Sequence, residues 1–407
     1  MGLFSSGFNV NKVREDFPFI SNNKDAIYFD NACMSLKPKQ VIDKMLEYYT
    51  LYTACGGRSH HKFSERVNEE VEKARLEVKK LINARSEKEI IFTKNTTESI
   101  NLVAKSLGLR KGDEVIITDK EHNSNLLPWL RLNKDKGIIV KIMVSNQDNT
   151  FNIENFKRAL TKNTKLVSVH HRSNLDGVTN PIEEISKLTH RNGSLLLVDA
   201  AQSVPSMEID VKKLNIDFIA FSGHKMLAPT GVGVLYGKLE LLSKLSPFIL
   251  GGETVSDSSY DSYTLKEVPH RFEAGLQNYA GIIGFGEAIR YLKKVGFNNI
   301  EKQEAALNKL VTERLMNNSK IELIGPKDYK LRGNIFSFNI KGMEPHNVSS
   351  ILNSSANIAV RSGAHCVHSW FNKHKLKGSV RASLYFYNTE EEALKFAEEV
   401  ERIAGMV

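Results

Sequence analysis

Only three cysteines occur in the 407 residues, at Cys33, Cys55 and Cys366, and they form no Cys-x-x-Cys pair and no His-Cys ligand spacing. That scarcity argues against a disulfide framework or a zinc site, so no metal is expected. No apolar run approaches the length of a membrane span, and the N-terminus lacks a basic stretch followed by an apolar core and a cleavage site. A cytoplasmic chain without a membrane partner is therefore the expectation. Met1-Gly2 with Ser6 fits the short myristoylation pattern, but so loose a match is read as chance. Internal repeats, low-complexity tracts, basic blocks and aromatic RNA-binding motifs are also missing. The net charge of +9 comes from 56 basic and 47 acidic residues intermingled along the chain, the pattern of solvated helix faces, and no nucleic-acid partner is expected. One basic cluster, Lys373-His374-Lys375-Leu376-Lys377, could steer an acidic acceptor, but is read first as a solvated loop.

What is present suits a globular α/β chain. Hydrophobic residues make up 41% and charged residues 25%. The length exceeds what one hydrophobic core usually serves, so two domains are expected. Glu65 to Asn83 carries Val67, Val71, Ala74, Val78 and Leu81 at helical spacing. Short β-rich runs follow at Ile90 to Thr93, Glu114 to Thr118, Ile138 to Val144, Lys165 to His171, Ser194 to Asp199, Asp217 to Ser222 and Val232 to Tyr236. Continuous apolar runs of this kind predict strands buried on both faces of a mostly parallel central sheet. Beyond the helical stretch around Ile282 to Val295 the strands shorten, at Ile321 to Ile324, Asn334 to Ile340, Ile358 to Arg361 and Ser379 to Leu384. Thr389 with Glu392 predicts a capping box for a final helix. The expected division is a large domain over 16–290 and a smaller α+β domain from 1–15 with 291–407.

The chemistry concentrates at strand ends, where open α/β sheets bind their ligands. Lys225 follows the run Asp217 to Ser222, and Asp199 closes the run before it. An amine that can hold an aldehyde cofactor and a carboxylate that can keep a pyridine nitrogen protonated are what a pyridoxal-phosphate enzyme requires. Gln202, Ser222 and His224 lie at the same strand ends. Asn95-Thr96-Thr97-Glu98 follows another strand, and a helix starting there would aim free amides at an anion, with threonine serving equally as an N-cap. Cys33 and Cys55 are read as small buried hydrophobes. Cys366 differs, because its Ser-Gly-Ala-His setting between Arg361 and a basic loop would favour an accessible thiolate.

The segments Val198-Asp-Ala-Ala-Gln-Ser203, Phe221-Ser-Gly-His-Lys225 and Pro229-Thr-Gly-Val-Gly233 resemble the class V aminotransferase family of fold-type I enzymes. Arg271-Phe-Glu-Ala-Gly275, Arg361-Ser-Gly-Ala-His-Cys366, Val380-Arg-Ala-Ser-Leu384 and Tyr387-Asn-Thr389 resemble its group II cysteine desulfurases. Matching segments begin at Tyr28-Phe-Asp30 and run to the last helix. The resemblance implies pyridoxal 5'-phosphate bound by Lys225 and Asp199, with Thr97, Ser222 and His224 around the phosphate, where the helix start would let the Thr96 hydroxyl add a donor. It further implies His122 stacked on the ring, and Asn174 and Gln202 on the ring oxygen. Arg381, helped by Arg361, would grip the carboxylate of L-cysteine, and Cys366 would accept its sulfur. The implied assembly is a homodimer that passes sulfur to an acceptor or iron-sulfur scaffold protein. Arg58, His60 and His61 are assigned no role.

Two positions depart from the family pattern. Leu276 stands where threonine commonly reaches the phosphate of the neighbouring subunit's cofactor, and Ala364 stands two residues before the cysteine, where His or Gln is common. A selenocysteine lyase, another enzyme of the fold such as an aminotransferase or kynureninase-like protein, and a nonenzymatic sulfur-carrier binding protein are the alternatives.

Overall fold

The computed structural model describes residues 8–407, so the Met1-Gly2 pattern lies outside the described residues. After a two-residue strand β1 (Ile27–Tyr28), the central sheet comprises β2 (Ile90–Thr93), β3 (Glu114–Thr118), β4 (Ile139–Met143), β5 (Thr164–His170), β6 (Leu195–Asp199), β7 (Phe218–Ser222) and β8 (Gly233–Gly237). The strands stand in the order β2-β8-β7-β6-β5-β3-β4. Neighbours from β7 to β4 are parallel, and only β8 runs against both of its neighbours. The mostly parallel sheet expected from the apolar runs is therefore present, with boundaries shifted by a residue or so. Both faces are covered, which is why β3 and β7 are buried along their whole lengths.

A short antiparallel hairpin, β9 (Val255–Ser258) with β10 (Tyr263–Leu265), precedes the second sheet. That sheet contains β11 (Ile321–Ile324), β12 (Ile335–Ile340), β14 (Arg361–Gly363) and β15 (Ser379–Ser383), antiparallel in the order β11-β12-β15-β14. Strand β13 (Ile358–Ala359) pairs in parallel with β1. Ile27 and Phe29 pack into the smaller sheet's core with Phe336, Phe338 and Phe396, whereas Phe17 packs into the large one. The N-terminal segment thus serves both cores. The final helix, Glu390–Ala404, carries the capping box of Thr389 and Glu392. Among the described residues, no helix is long and apolar enough to cross a membrane.

Strand direction brings the functional segments to one edge. The turns after β2, β3, β5, β6 and β7 all leave the sheet at the same end, where the reversed β8 begins. Gly233 opens β8 between β2 and β7. A Cβ there would lie 2.6 Å from the Asn95 Cα, so only bare backbone lets the helix Thr96–Ser106 start close against Ser222.

A buried ion pair ties β2 to the helix Lys62–Leu81. Arg75 Nη1 and Nη2 donate to Glu273 Oε1 and Oε2 at 2.8 and 3.0 Å, and the Phe92 amide donates to the same Oε1 at 2.8 Å. Burial alone would raise the Glu273 carboxyl, but the Arg75 guanidinium overrides it and holds the group at about 2, against an ordinary 4.5. A depressed carboxylate contributes stability that is complete above its unfolded value and is lost as pH falls through the folded one. We therefore expect Glu273→Ala to lose about 3–5 kcal/mol in urea unfolding at neutral pH, since it strands a buried guanidinium. The variant should also lack the wild type's loss of stability between pH 4.5 and 2 that this carboxylate contributes.

Candidate active site

At the sheet's carboxyl edge, against the smaller sheet, lies a cavity of about 210 Å³. Every site residue picked out from the sequence lines it, from Thr96 after β2 to Arg381 on β15.

Lys225 ends the single helical turn Gly223–Lys225 that follows β7, and Asp199 ends β6 beside it. Burial pushes the Lys225 amine below the ordinary lysine value, which the Asp199 charge partly opposes. Burial likewise raises the Asp199 carboxyl. Its Oδ1 accepts from the Ala201 amide at 3.0 Å. Among the described residues, neither its other oxygen nor Lys225 Nζ has a hydrogen-bond partner, so both face the cavity with valences open.

The helix start is built from hydroxyls. Thr96 donates its amide to Ser222 Oγ at 2.8 Å, their hydroxyls pair at 2.6 Å, and Thr97 Oγ1 pairs with Ser124 Oγ at 2.7 Å. The cap itself is Asn95, whose Oδ1 accepts from the Glu98 amide at 3.0 Å, rather than either threonine. A short polar side chain already standing at the turn leaves both threonines inside the helix.

Two histidines of the cavity are held neutral. Burial, with Lys225 and Arg381 adding repulsion, brings His122 down to about 3, and its Nδ1 accepts from the Ser124 amide at 3.0 Å. Burial with Lys225 and Lys37 brings His224 down to about 4. Behind His122, Glu121 Oε1 meets His170 Nδ1 at 2.9 Å, and its other oxygen accepts from Asn125 at 2.7 Å. Neither Glu121 nor His170 is distinguished by its local sequence, because the two meet only through the pairing of β3, which Glu121 follows, with β5, which His170 ends.

Arg381 is buried, not a surface ion-pair residue. Its Nη1 donates to the Asn174 carbonyl at 2.8 Å and its Nη2 to Asp30 Oδ1 at 3.3 Å, while buried Nε has no partner. Asn174 is fixed in turn by donating to the His365 carbonyl at 2.8 Å, and Gln202 by donating to the Ala32 carbonyl at 2.7 Å. Asp30 also lies 3.9 Å from Arg361 Nη1. It is the residue sequence reasoning missed most plainly. A carboxylate after a two-residue strand has no periodicity to mark it.

The cysteines need correction. Cys33 is half-buried and lines the cavity, accepting from Arg361 Nη1 at 3.0 Å, and Cys55 is exposed. Both sit in loops, outside the helix and strand faces that bury small apolar residues. Cys366 stands in the left-handed region at φ 60, in a turn closed by the Val367 amide on the Ala364 carbonyl at 2.7 Å. Its own carbonyl accepts from the Asn123 amide at 2.8 Å, which ties the cysteine turn to the His122 loop. Arg58, His60 and His61 do not line the cavity, and Arg58 pairs with Glu253.

A sheet of this order with a buried lysine and carboxylate at its carboxyl edge defines an α/β enzyme of the aminotransferase kind. The model of the aminotransferase class-V family matches residues 27–396, and the chain belongs to that family. It is 42% identical to a probable cysteine desulfurase of Synechocystis, covering 93% of this chain and 92% of the relative. A probable cysteine desulfurase of Pyrococcus abyssi is 43% identical, covering 94% and 95%. The apo structure of a cysteine desulfurase from Thermococcus onnurineus superposes with a TM-score of 0.94 at 40% identity, covering 99% of this chain and all of that one. An Escherichia coli cysteine desulfurase in an S-sulfonic acid form gives 0.91 at 31%, with coverage of 99% and 100%.

The electrostatics of the cavity predict that His122 and His224 stay neutral across the working range. In ¹⁵N-detected NMR of the protein, neither ring should titrate between pH 5.5 and 9; a midpoint near 6.5 for His122 would contradict the cause given for its shift.

Proposed function

We propose that the protein is a cytoplasmic, pyridoxal 5'-phosphate-dependent cysteine desulfurase that converts L-cysteine to L-alanine and leaves the sulfur as a persulfide on Cys366. The observation that carries this reading is the meeting of Lys225, Asp199, Arg381 and Cys366 around one cavity. The open valences fit the cofactor: a free amine for its aldehyde, a free carboxylate oxygen for its ring nitrogen, and a helix start with hydroxyls for its phosphate. Thr96, Thr97, Ser222 and His224 would hold that phosphate, His122 would stack on the ring, and Asn174 and Gln202 would approach the ring oxygen. When bound, the cofactor supplies an electron sink beside the substrate Cα.

The remaining work belongs to the chain. Arg381 offers its guanidinium to the substrate carboxylate, with Arg361 beside it, and so orients the Cα towards Lys225. The Lys225 amine, its proton affinity reduced by burial, takes the Cα proton. Neutral His122 adds no second cation next to that amine. Cys366 attacks the substrate sulfur as a thiolate; its S–S bond forms as the substrate C–S bond breaks, and alanine departs after protonation at carbon. Exposed Leu276 and the neighbouring Gly251-Gly252-Glu253 loop would meet a second copy in a homodimer, and the persulfide would pass to an acceptor such as an iron-sulfur scaffold protein.

Incubating the cofactor-loaded protein with L-cysteine and a reductant should give alanine and sulfide in equal amounts. Borohydride should fix the cofactor on Lys225 alone, and peptide mapping to another lysine would overturn that assignment. Cys366→Ser should keep the cofactor's absorbance and its spectral response to cysteine, while sulfide release falls by orders of magnitude. Undiminished release by this variant would remove Cys366 from the mechanism, and activity kept on selenocysteine alone would favour a selenocysteine lyase. For the assembly, sedimentation at micromolar concentration should return twice the chain mass of 45.8 kDa, and a monomer would contradict it.

A further inference from the structure

The cavity holds a second thiol that the reaction so far leaves unused. Cys33 lines it together with Cys366, and both sulfurs act electrostatically on the Lys225 amine. Cys33 is well anchored. Its amide donates to the Asp30 carbonyl at 3.1 Å, and next to it the Ala32 amide donates to Ser383 Oγ at 2.9 Å while the Ala32 carbonyl takes the Gln202 amide. Arg361 Nη1 donates to the sulfur at 3.0 Å and thereby fixes it at the cavity wall. Cys366 sits in a tight turn whose carbonyl is held by Asn123, so the two thiols come from separate, individually braced walls. The cavity they share is also lined by Arg361 and Arg381, whose guanidiniums suit a negatively charged occupant.

We propose that Cys33 is a sulfur-relay residue, receiving the outer sulfur of the Cys366 persulfide before it leaves the protein. The inference rests on the desulfurase reading. Cys33 attacks the terminal sulfur as a thiolate: a new S–S bond forms at Cys33, the S–S bond at Cys366 breaks, and the proton lost by one thiol is regained by the other. No oxidant or reductant is consumed. Cys366 is thereby freed as a thiol while Cys33 holds the sulfur beside the Arg361 guanidinium, whose side chain is 37% exposed and marks the way out.

The test is a time course of the cofactor-loaded protein with L-cysteine, quenched by alkylation and mapped by mass spectrometry. One extra sulfur should appear first on the Cys366 peptide and then on the Cys33 peptide. Wild-type protein loaded with sodium polysulfide in the absence of cysteine should show the same migration without turnover. Cys33→Ala and Cys33→Ser should both keep sulfur on Cys366, with sulfide release to dithiothreitol slowed about tenfold. Rescue by serine would mean that Cys33 merely supplies a polar contact for Arg361, and would overturn the relay. So would sulfur confined to Cys366 with wild-type kinetics in the variants, a Cys33–Cys366 disulfide formed by attack on the inner sulfur, or sulfur reaching Cys33 in Cys366→Ser. If neither thiol gains sulfur from cysteine and no alanine forms, the desulfurase reading itself fails, a result separable from the others by the alanine assay.

Discussion

The carboxylate of Asp30 is the contact on which the cavity depends. Arg381 is fully enclosed and Arg361 partly so, and the two guanidiniums repel each other across a space that water screens poorly. Asp30 lies between them, 3.3 Å from one and 3.9 Å from the other. Burial raises its own carboxyl, and the Arg381 and Arg361 guanidiniums partly oppose that rise. The bridge between Asp30 and Ser383 fastens the same residue to β15. Geometry and charge are thus set by one side chain at the seam between the sheets.

The rest of the cavity follows a similar economy of charge. Both histidines near Lys225 are kept neutral by burial and by repulsion from the lysine itself. A carboxylate beneath each critical group completes the arrangement: Asp199 near Lys225, Glu121 under the His122 loop and Asp30 under the arginines. A free lysine at the surface would be protonated and idle at neutral pH. Here the enclosure disfavours its charge, which the Asp199 carboxylate partly restores.

What could be read in the sequence was what is local. The apolar runs of β5, β6 and β7 announced a sheet buried on both faces, and Asp199, Ser222 and Lys225 were visible because each directly ends or follows such a run. Cys366 stood out through its immediate neighbours. The paired strands β1 and β13 are two residues each, too short to display any alternation, and the Asp30 clamp that they deliver went unseen with them. Glu121 and His170 are 49 residues apart, and Cys33 and Arg361 are 328 apart. No window along the chain contains either pair, and a cysteine in a loop or a histidine at a strand end carries no mark of its partner.

The separation between Asp30 and Arg381 is 351 residues, and Ser383 meets the carbonyl of Phe29 over 354. Ribosomal synthesis therefore releases one wall of the cavity long before the other exists. The central sheet from β2 to β8 can form as a unit while the segment around Asp30 waits, its carboxylate hydrated and unpaired. Closure comes only when β15 has emerged and been threaded between β12 and β14. A nascent chain consequently carries Lys225 and Asp199 before Arg381 can complete the opposite wall of the cavity.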